Sequence, residues 1–358
     1  MKEFLIDHID PLGQGVFKES DEIYFIPKTL PGEKGTFEVL KSKKGVHFGA
    51  LHSLTHQSQI RIEPECPFYS QCSGCHYQHT SKEEELNFKQ NNLKRLLKKV
   101  DTQKASWINL ISKKRYHYRN RLQLHYNKKL KIIGFHQRNS HKITPITNCI
   151  LAVPEIQNKI QKLTKNNHWL NIIPAQEPVK GHLELYLINN DVQLTWNQAY
   201  AASGFSQVNQ EVNEQLIQTI EDLFSQRNLK ILDLFGGSGN LTRKIQSARC
   251  LSIDTHPQAD YTLDLFKDDS LDSFIQKHQD PFDTFIVDPP RSGFKNLSKW
   301  VEHFQPQKIL YVSCNPATML RDISPEIQDY QLEAIYFIDF FPGTYHYEAA
   351  VLLNRRVN

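Results

Sequence analysis

The sequence lacks the features that mark several large classes of protein. No apolar run approaches the roughly 18 residues that a membrane-spanning helix needs, and the mean hydropathy is −0.53. Six cysteines in 358 residues are too few for a disulfide scaffold. Residues 1–7 lack the apolar segment of a secretory signal. We therefore expect a cytoplasmic protein of two or three domains, with no membrane partner, whose clustered cysteines are metal ligands or catalytic thiols.

Basic residues are concentrated in one stretch of the chain. Residues 82–142 hold 17 Lys and Arg against four acids, and residues 113–142 hold ten basic residues and no acid. A solvated basic surface would explain the run, but a segment of one charge sign repels itself unless a polyanion binds it. Side chains that can stack on unpaired bases are interleaved with the charges, namely Tyr116, His117, Tyr118, His125, Tyr126, Phe135 and His136. The stretch favours nucleic acid as a partner.

The chain divides into three segments by its secondary-structure patterns. Residues 1–61 carry short alternating strands separated by turn signals, which predicts a small OB-like β-barrel or a β-subdomain without a ligand. Residues 62–200 contain a cysteine cluster, a helix from Ser81 to about Val100 and later strand patterns. In residues 201–358 helical and strand patterns alternate, which predicts an α/β domain with a mostly parallel sheet.

The C-terminal segment carries polar residues where predicted strands end. One strand runs into Asp-Leu-Phe-Gly-Gly-Ser-Gly-Asn at residues 233–240, whose glycines permit close approach of a cofactor, and a helix is expected after this loop. The next strand ends at Asp254, which could hold ribose hydroxyls or simply cap the strand. Asp288 precedes two prolines that would hold its carboxylate over a pocket.

Two further residues could supply a nucleophile and a base. Cys314 ends another apolar strand, where pocket residues fall in α/β folds, although a buried core thiol is the alternative. Glu348 lies just before the last apolar strand. A thiolate that adds to carbon 6 of uracil makes carbon 5 a nucleophile towards an electrophilic methyl group, and a base must then remove the proton from carbon 5. Cys314 and Glu348 form this minimum set.

Taken in order, these motifs resemble those of the S-adenosylmethionine-dependent RNA 5-methyluridine methyltransferases. The match comprises residues 204–209, the loop at 233–240, Asp-Pro-Pro-Arg at 288–291, Ser-Cys-Asn-Pro at 313–316 and Phe-Pro-x-Thr-x-His-x-Glu at 341–348. The resemblance implies a Rossmann-like class I methyltransferase domain with Cys314 as nucleophile and Glu348 as base. The family commonly has Glu at the position of Asp254 and another polar residue at that of Asp264. The implied cofactor pocket is lined by Gln207, Phe235, Asn240, Asp254, Asp264 and Asp288.

Four cysteines form a separate motif. Cys66, Cys72 and Cys75 lie close together, Cys149 follows far downstream, and this spacing alone allows either zinc or an iron–sulfur cluster. The pattern is similar to that of the 23S rRNA uridine methyltransferases, which implies a 4Fe-4S cluster on these four residues. Residues 1–61 resemble the TRAM domain, an OB-like RNA-binding module. Parts of the basic stretch resemble the family's central RNA-binding strands, which implies a central α+β iron–sulfur RNA-binding domain.

The combined prediction is a three-domain, monomeric enzyme that methylates carbon 5 of a uridine in 23S rRNA. The uridine would be flipped into the pocket, and the candidates for holding displaced bases are Phe205, His117, Arg121 and Gln207. The cluster is expected to be structural, since methyl transfer needs no redox step. The nearest alternative is the same reaction on the T-loop of tRNA. Methylation of an exocyclic amine through Asp-Pro-Pro and a non-catalytic RNA-binding protein are the other hypotheses.

Overall fold

The computed structural model describes residues 1–138, 140–200, 206–225, 228–246 and 248–356. The chain forms two compact units. The first comprises Met1–Asn92, Ser112–Gln210 and Phe341–Tyr345, and the second comprises Leu93–Ile111, Glu211–Phe340 and His346–Asn358. Within the described ranges, none of the helices has the length and apolar character needed to cross a membrane.

A six-stranded sheet occupies the N-terminal part of the first unit. Its strands are β1 (Lys2–Leu5), β2 (His8–Ile9), β3 (Gln14–Glu19), β4 (Glu22–Pro27), β5 (Lys34–Lys43) and β6 (Val46–His56), ordered β1-β5-β6-β4-β3-β2. The long pair β5–β6 contains register shifts, and such bulges increase the local bend and twist. The strands predicted in residues 1–61 are confirmed. The core is formed by Phe4, Ile6, Phe17, Tyr24, Ile26 and Phe37.

The next part of the chain begins with a helix and continues into a second sheet. The elements are α1 (Lys82–Leu96), β7 (Ser106–Ile111), β8 (Arg121–Asn127), β9 (Ile132–His136), β10 (Ile143–Pro145), α2 (Pro154–Thr164), α3 (Trp169–Ile172), β11 (Lys180–Ile188) and β12 (Asp191–Trp196). As predicted, α1 starts after Ser81, whose Oγ accepts a hydrogen bond from the Glu84 backbone N–H at 3.2 Å.

The second sheet is antiparallel, with the order β10-β9-β8-β11-β12. Side chains alternate between the two faces of a strand, so one face can be apolar and the other polar. The apolar face, with Leu124 and Leu185, packs in one core with Ile156 and Ile160 of α2. The opposite face therefore carries the polar residues of the basic stretch.

The second unit is built on an eight-stranded sheet. Its remaining elements are α4 (Gln210–Leu223), whose first residue belongs to the first unit, β13 (Lys230–Leu234), β14 (Arg249–Asp254), β15 (Tyr261–Thr262), α5 (Ser270–Ile275), β16 (Thr284–Val287), α6 (Leu297–Phe304), β17 (Lys308–Ser313), α7 (Pro316–Ile323), β18 (Tyr330–Asp339) and β19 (Glu348–Arg355). The order is β15-β14-β13-β16-β17-β19-β18-β7. Strands β13 to β17 run parallel, and β19 is antiparallel to both of its neighbours. The predicted α/β domain with a mostly parallel sheet is confirmed.

Two features of this sheet differ from the sequence pattern. β7 comes from the segment assigned to the central region, yet it pairs with β18. The helix expected after the glycine-rich loop is absent from the described residues 238–246, which form hydrogen-bonded turns instead. Gly237 and Gly239 have φ of 55° and 78°. Those values lie outside the right-handed helical region, so a helix cannot begin within the loop.

Candidate active site

Five of the predicted site residues lie at one edge of the eight-stranded sheet. They occur at or just after the carboxyl ends of β13 to β17, which are neighbouring parallel strands. The carboxyl edge of an open α/β sheet is where such folds bind ligands. The five residues are Phe235, Asp254, Asp264, Asp288 and Cys314.

Asp254 is oriented by the backbone around it. Its carboxylate accepts hydrogen bonds from the Gly237 N–H at 3.0 Å and from the His256 N–H at 2.8 Å. The Leu263 N–H donates to the Asp254 carbonyl at 2.9 Å, which brings the segment that contains Asp264 alongside. Since each carboxylate oxygen can accept more than one hydrogen bond, Asp254 keeps acceptor capacity for a ligand.

Phe235 contributes an aromatic wall. Its ring centroid lies 5.0 Å from that of Phe294, edge-on, and 5.4 Å from that of Phe266. Phe266 is 48% exposed, which is unusual for a large aromatic side chain and suits a surface that a planar ligand covers. Sequence reasoning did not find Phe266, because only its exposure beside the glycine loop distinguishes it from a core residue.

Asn240 makes a reciprocal contact that the motif did not suggest. Its side-chain amide donates to Asn213 Oδ1 at 3.0 Å, and the Asn213 amide donates back to Asn240 Oδ1 at 3.2 Å. Asn213 lies on α4, so this pair ties the glycine loop to that helix. Two further predicted positions fall elsewhere: Gln207 belongs to the first unit, and Phe205 lies outside the described residues.

Cys314 and Glu348 lie opposite each other at the end of the β17–β19 strand pair. Ser313 of β17 pairs with Ala349 of β19, so the next position in this antiparallel register brings Cys314 opposite Glu348. Cys314 is half-buried, and Glu348 is 7% exposed. The strand register therefore brings the proposed nucleophile and base together although 34 positions separate them in the chain.

The electrostatics of this pair depend on burial and on two neighbours. Burial, and then the nearby Glu348 and Asp288 carboxyls, raise the pKa of the Cys314 thiol, whereas Arg291 lowers it. Burial raises the pKa of Glu348 to about 8, with Asp288 adding to the shift and Arg291 opposing it. Burial also raises the pKa of Asp288 to about 7. Carboxyls with pKa values this close to neutrality are typical of sites that move protons.

The loop that carries Asp288 and Arg291 is held by α7 and its N-cap. The Arg291 carbonyl accepts hydrogen bonds from the Asn315 side-chain amide at 3.3 Å and from Thr318 Oγ1 at 3.4 Å. The buried Asp322 carboxylate accepts from the Phe294 N–H at 2.6 Å. The helix α7 and its N-cap, which follow Cys314 in the chain, therefore also hold the loop whose Asp288 and Arg291 shift the pKa of Cys314.

The four motif cysteines line one cavity within the first unit. This cavity has a volume of about 290 Å³ and is bordered by Cys66, Cys72, Cys75 and Cys149 together with apolar residues such as Phe68 and Leu151. Burial raises the pKa of Cys72 to about 11. Among the described residues, no group of three or more His, Cys, Asp or Glu side chains is arranged to hold a metal ion.

The RNA-contact candidates of the basic stretch are engaged within the first unit. Arg121 pairs with Glu184 at 3.2 Å and lies 4.7 Å from the ring centroid of Tyr186, and all three side chains are buried. His117 Nδ1 lies 2.6 Å from the Gln157 amide. The rings of His125 and His136 stack at 3.6 Å on the polar face of the second sheet.

The chain is similar to known proteins. The sequence model of the family described as tRNA (Uracil-5-)-methyltransferase matches residues 266–356, the part with Asp288, Cys314 and Glu348. A 23S rRNA (uracil(1939)-C(5))-methyltransferase RlmD of Shewanella woodyi is 26% identical over 97% of this chain and 94% of the relative. The protein of the same name from Shewanella frigidimarina is 28% identical over 98% of this chain and 95% of the relative.

A solved structure shares the fold of nearly the whole chain. The tRNA (uracil-54, C5)-methyltransferase of Pyrococcus abyssi, in complex with S-adenosyl-L-homocysteine, matches with a TM-score of 0.71 at 21% identity and covers 98% of this chain and 100% of that one. The ordered motifs, the facing Cys314 and Glu348 and these similarities agree. The chain is therefore related over nearly its whole length to the RNA uracil-5-methyltransferases, and the resemblance read from its motifs is confirmed.

Proposed function

We propose that the protein is an S-adenosylmethionine-dependent methyltransferase that converts a uridine of 23S rRNA to 5-methyluridine. The main support for the proposal is that Cys314 and Glu348 lie opposite each other at the end of the β17–β19 pair. Asp288 is close enough to raise the pKa of both residues. A thiol nucleophile beside a buried acid–base group is what methylation of uracil at carbon 5 requires. The names of the relatives support 23S rRNA as the substrate.

Cys314 acts as the nucleophile. After the thiol has lost its proton to solvent, Sγ forms a bond to carbon 6 of the uracil, and the electron pair of the C5–C6 double bond moves towards carbon 4 to give an enolate that is nucleophilic at carbon 5. Burial and the nearby carboxyls raise the pKa of the Cys314 thiol, so the thiolate needs a stabilising neighbour. Arg291, the neighbour that lowers this pKa, favours the thiolate that must attack.

Glu348 completes the reaction. When bound, S-adenosylmethionine supplies an electrophilic methyl group on a positively charged sulfur. After carbon 5 has accepted the methyl group, Glu348 removes the remaining proton from carbon 5. The electron pair of the broken C–H bond restores the C5–C6 double bond and expels Sγ of Cys314 as thiolate. This step needs the ionised form of Glu348, and a carboxylate whose acid has a pKa of about 8 is a stronger base than an ordinary one.

The residues at the carboxyl edge of the sheet fit the cofactor. The oriented carboxylate of Asp254 suits the ribose hydroxyls, and the rings of Phe235 and Phe266 suit a planar base. Asp288 lies near Cys314 and can offset the positive sulfur. Asp264, on the loop beside Asp254, and Asn240 in the glycine loop complete the proposed pocket on the strength of the family motif. On the same strength alone, Gln207 is proposed as a cofactor-binding residue.

The cysteine-lined cavity has room for a polynuclear cluster. The resemblance of the cysteine pattern to that of the 23S rRNA uridine methyltransferases favours an iron–sulfur cluster over zinc. Four thiols around a cavity of about 290 Å³ leave room for several iron and sulfide atoms between them. We therefore assign Cys66, Cys72, Cys75 and Cys149 as ligands of a 4Fe-4S cluster with a structural role.

The proposed RNA interface lies on the first unit. We assign a TRAM-like barrel to residues 1–61, a central iron–sulfur RNA-binding domain to residues 62–200 and a Rossmann-like methyltransferase domain to residues 201–358. Basic residues without acids between Lys113 and Lys142 supply the positive charge that holds RNA phosphates. We further propose that the protein acts on rRNA as a monomer in the cytoplasm.

The test is transfer of labelled methyl from S-adenosylmethionine to unmodified 23S rRNA and tRNA transcripts in parallel, followed by nucleoside analysis. The proposal expects 5-methyluridine in the 23S rRNA. Label in the tRNA alone would instead favour the T-loop reaction, which the tRNA methyltransferase of similar fold supports. Labelled N-methyl nucleosides, or no labelled nucleoside at all, would contradict methylation at carbon 5.

A further inference from the structure

The segment that connects β18 to β19 is held by hydrogen bonds to its backbone groups. Residues 340–347 link the two strands, and the part Phe341–Tyr345 belongs by its contacts to the first unit. Connecting segments usually leave their polar backbone groups to water. In this segment, other residues of the first unit form hydrogen bonds with the carbonyls of Phe341 and Pro342 and with both backbone groups of Gly343.

A buried ion pair on α1 holds two of these groups. The Glu85 carboxylate accepts a hydrogen bond from the Gly343 N–H at 2.6 Å, and the Lys89 ammonium donates to the Phe341 carbonyl at 3.2 Å. Lys89 and Glu85 are 2.7 Å apart, and both side chains are fully buried. Arg115 also approaches Glu85, at 3.3 Å. Burying a lysine and a glutamate costs free energy unless their partners are well placed, so the pair specifies one geometry of this segment.

Two further backbone carbonyls, those of Pro342 and Gly343, are held by residues outside α1. Tyr118 donates its hydroxyl to the Pro342 carbonyl at 2.9 Å. The backbone N–H groups of His76 and Tyr77 donate to the Gly343 carbonyl at 2.8 Å and 3.2 Å. These two residues directly follow Cys75 in the chain. The segment is therefore fixed jointly by α1, by Tyr118 and by the loop of the cysteine motif.

We infer that Glu85, Lys89 and Tyr118 are positioning residues for Glu348. Glu348 is the first residue of β19 and follows Tyr345 by three positions. Five positions separate Gly343 from Glu348, so a change in the hydrogen bonding of the Phe341–Gly343 backbone is passed along the chain to the start of the strand. A displacement of about 1 Å at a catalytic group can cost orders of magnitude in rate. This inference rests on the proposed role of Glu348 as the base that removes the proton from carbon 5.

The role predicts a defect in one step of the reaction. Without a well-placed base, Cys314 still adds to the uracil and carbon 5 still accepts the methyl group. The adduct then persists, because its release waits for proton removal. A residue that only stabilises the fold or binds RNA would slow adduct formation and product release together.

The experiment compares Tyr118→Phe with Tyr330→Phe. Tyr330 also donates its buried hydroxyl to a proline carbonyl, that of Pro306 at 2.6 Å, but it pairs with Arg355 at the far end of β19. Single-turnover reactions with 23S rRNA transcripts and labelled S-adenosylmethionine follow the covalent RNA–protein adduct on denaturing gels and 5-methyluridine after digestion. We expect Tyr118→Phe to release product about fivefold more slowly, the effect of one lost hydrogen bond, while the adduct accumulates. Tyr330→Phe should behave like the unmodified protein.

Hydrogen exchange gives a readout that does not need activity. In Tyr118→Phe, the amides of residues 341–348 should exchange faster than in the unmodified protein and in Tyr330→Phe. Unchanged exchange at these residues overturns the inference whether or not the chain methylates RNA. Equal slowing of adduct formation and release also overturns it. Absence of 5-methyluridine with the unmodified protein, despite altered exchange in Tyr118→Phe, would contradict the proposed function and the role of Glu348 with it.

A charge variant tests the ion pair independently. Glu85→Gln alone would leave the Lys89 ammonium buried without its carboxylate, and the fold could fail for that reason. The double variant Glu85→Gln with Lys89→Met removes both charges and keeps the side-chain volumes. We expect it to show the same accumulation of adduct as Tyr118→Phe, and release at the unmodified rate would contradict the inference.

Discussion

Cys314 faces Glu348 across the end of the β17–β19 strand pair, one position beyond the paired residues Ser313 and Ala349. The antiparallel entry of β19 between β17 and β18 creates this relationship. In an all-parallel sheet the residue after β17 would have only another carboxyl end beside it. In this protein the amino end of β19 lies beside the carboxyl end of β17. Glu348, at the start of β19, therefore lies next to Cys314, which follows β17.

Replacing each member of this pair should arrest the reaction at a different step. Cys314→Ala removes the nucleophile, so neither a covalent adduct nor 5-methyluridine should form, with a loss of at least about a thousandfold in rate. Glu348→Gln keeps the nucleophile and removes the base, so a methylated adduct should accumulate without release. Denaturing gels with labelled S-adenosylmethionine distinguish the two. Methyl transfer by Cys314→Ala near the unmodified rate would instead favour methylation of an exocyclic amine.

The raised pKa of Glu348 predicts how stability depends on pH. An unfolded glutamate loses its proton near pH 4.3, whereas the folded protein holds this proton until about pH 8. Between these values the folded state binds more protons than the unfolded state, so the contribution of this group to stability falls as the pH rises. The neutral Glu348→Gln variant escapes this loss. From pH 5 to pH 8, the free energy of unfolding of Glu348→Gln should increase by about a few kcal/mol relative to that of the unmodified protein. The difference between the two melting temperatures should increase with it.

The comparison at pH 5 serves as the control for that measurement. Near that pH the buried carboxyl is neutral in the folded protein, so a difference between the two proteins reports mainly the exchange of a carboxyl for an amide. A melting-temperature difference that stays constant between pH 5 and pH 8 would show that Glu348 is ionised at its site throughout, contrary to the effect of its burial.

Asp254 should control cofactor affinity. Its carboxylate holds the Gly237 N–H and the His256 N–H, and an amide in its place would turn one acceptor into a donor facing backbone N–H groups. We expect Asp254→Asn to weaken S-adenosylmethionine binding about tenfold or more in calorimetry. The exposed Asp280, which pairs with Lys230 at 3.1 Å, provides a matched control as Asp280→Asn. Equal affinities for the two variants would remove Asp254 from the proposed pocket.

Much of this arrangement follows from the sequence, because it depends on local patterns. Apolar strands that end in Asp254, Asp288 or Cys314 place these residues at one edge of a parallel sheet as soon as the α/β alternation is recognised. The same patterns locate the start of α1 at Ser81. The resemblance to a known family adds the roles of residues such as Phe235 and Asp264, which no local pattern marks.

The remaining features depend on contacts between distant parts of the chain. Nothing near Glu85 or Lys89 indicates that their charges are buried against residues 341–343, since the sequence pattern is that of an ordinary i, i+4 surface pair. The positive φ of Gly237 and Gly239, which keeps a helix from beginning within the glycine loop, is likewise a feature of the folded chain. The exposure of Phe266 depends on how its loop lies beside Phe235.

The cysteine cavity leads to a prediction about composition. If Cys66, Cys72, Cys75 and Cys149 hold a 4Fe-4S cluster, protein purified without oxygen should contain about four iron and four sulfide per chain and no stoichiometric zinc. Cys72→Ser should lose most of that iron. Cys250, which is also half-buried but lies on β14 and does not line the cavity, gives the matched control Cys250→Ser with its iron retained.

Loss of the cluster should also weaken the hydrogen bonding of the segment that precedes Glu348. His76 and Tyr77, which follow Cys75, hold the Gly343 carbonyl through their backbone N–H groups. Ligation to the metal holds Cys75 in place. Removing the metal should therefore weaken the two hydrogen bonds that His76 and Tyr77 donate. Hydrogen exchange at residues 341–345 should therefore be faster in Cys72→Ser than in Cys250→Ser. Equal exchange in the two variants would separate the cysteines from the positioning of Glu348 and leave them a role within their own loop. Stoichiometric zinc would contradict the iron–sulfur assignment alone, because zinc on the same thiolates would also fix Cys75.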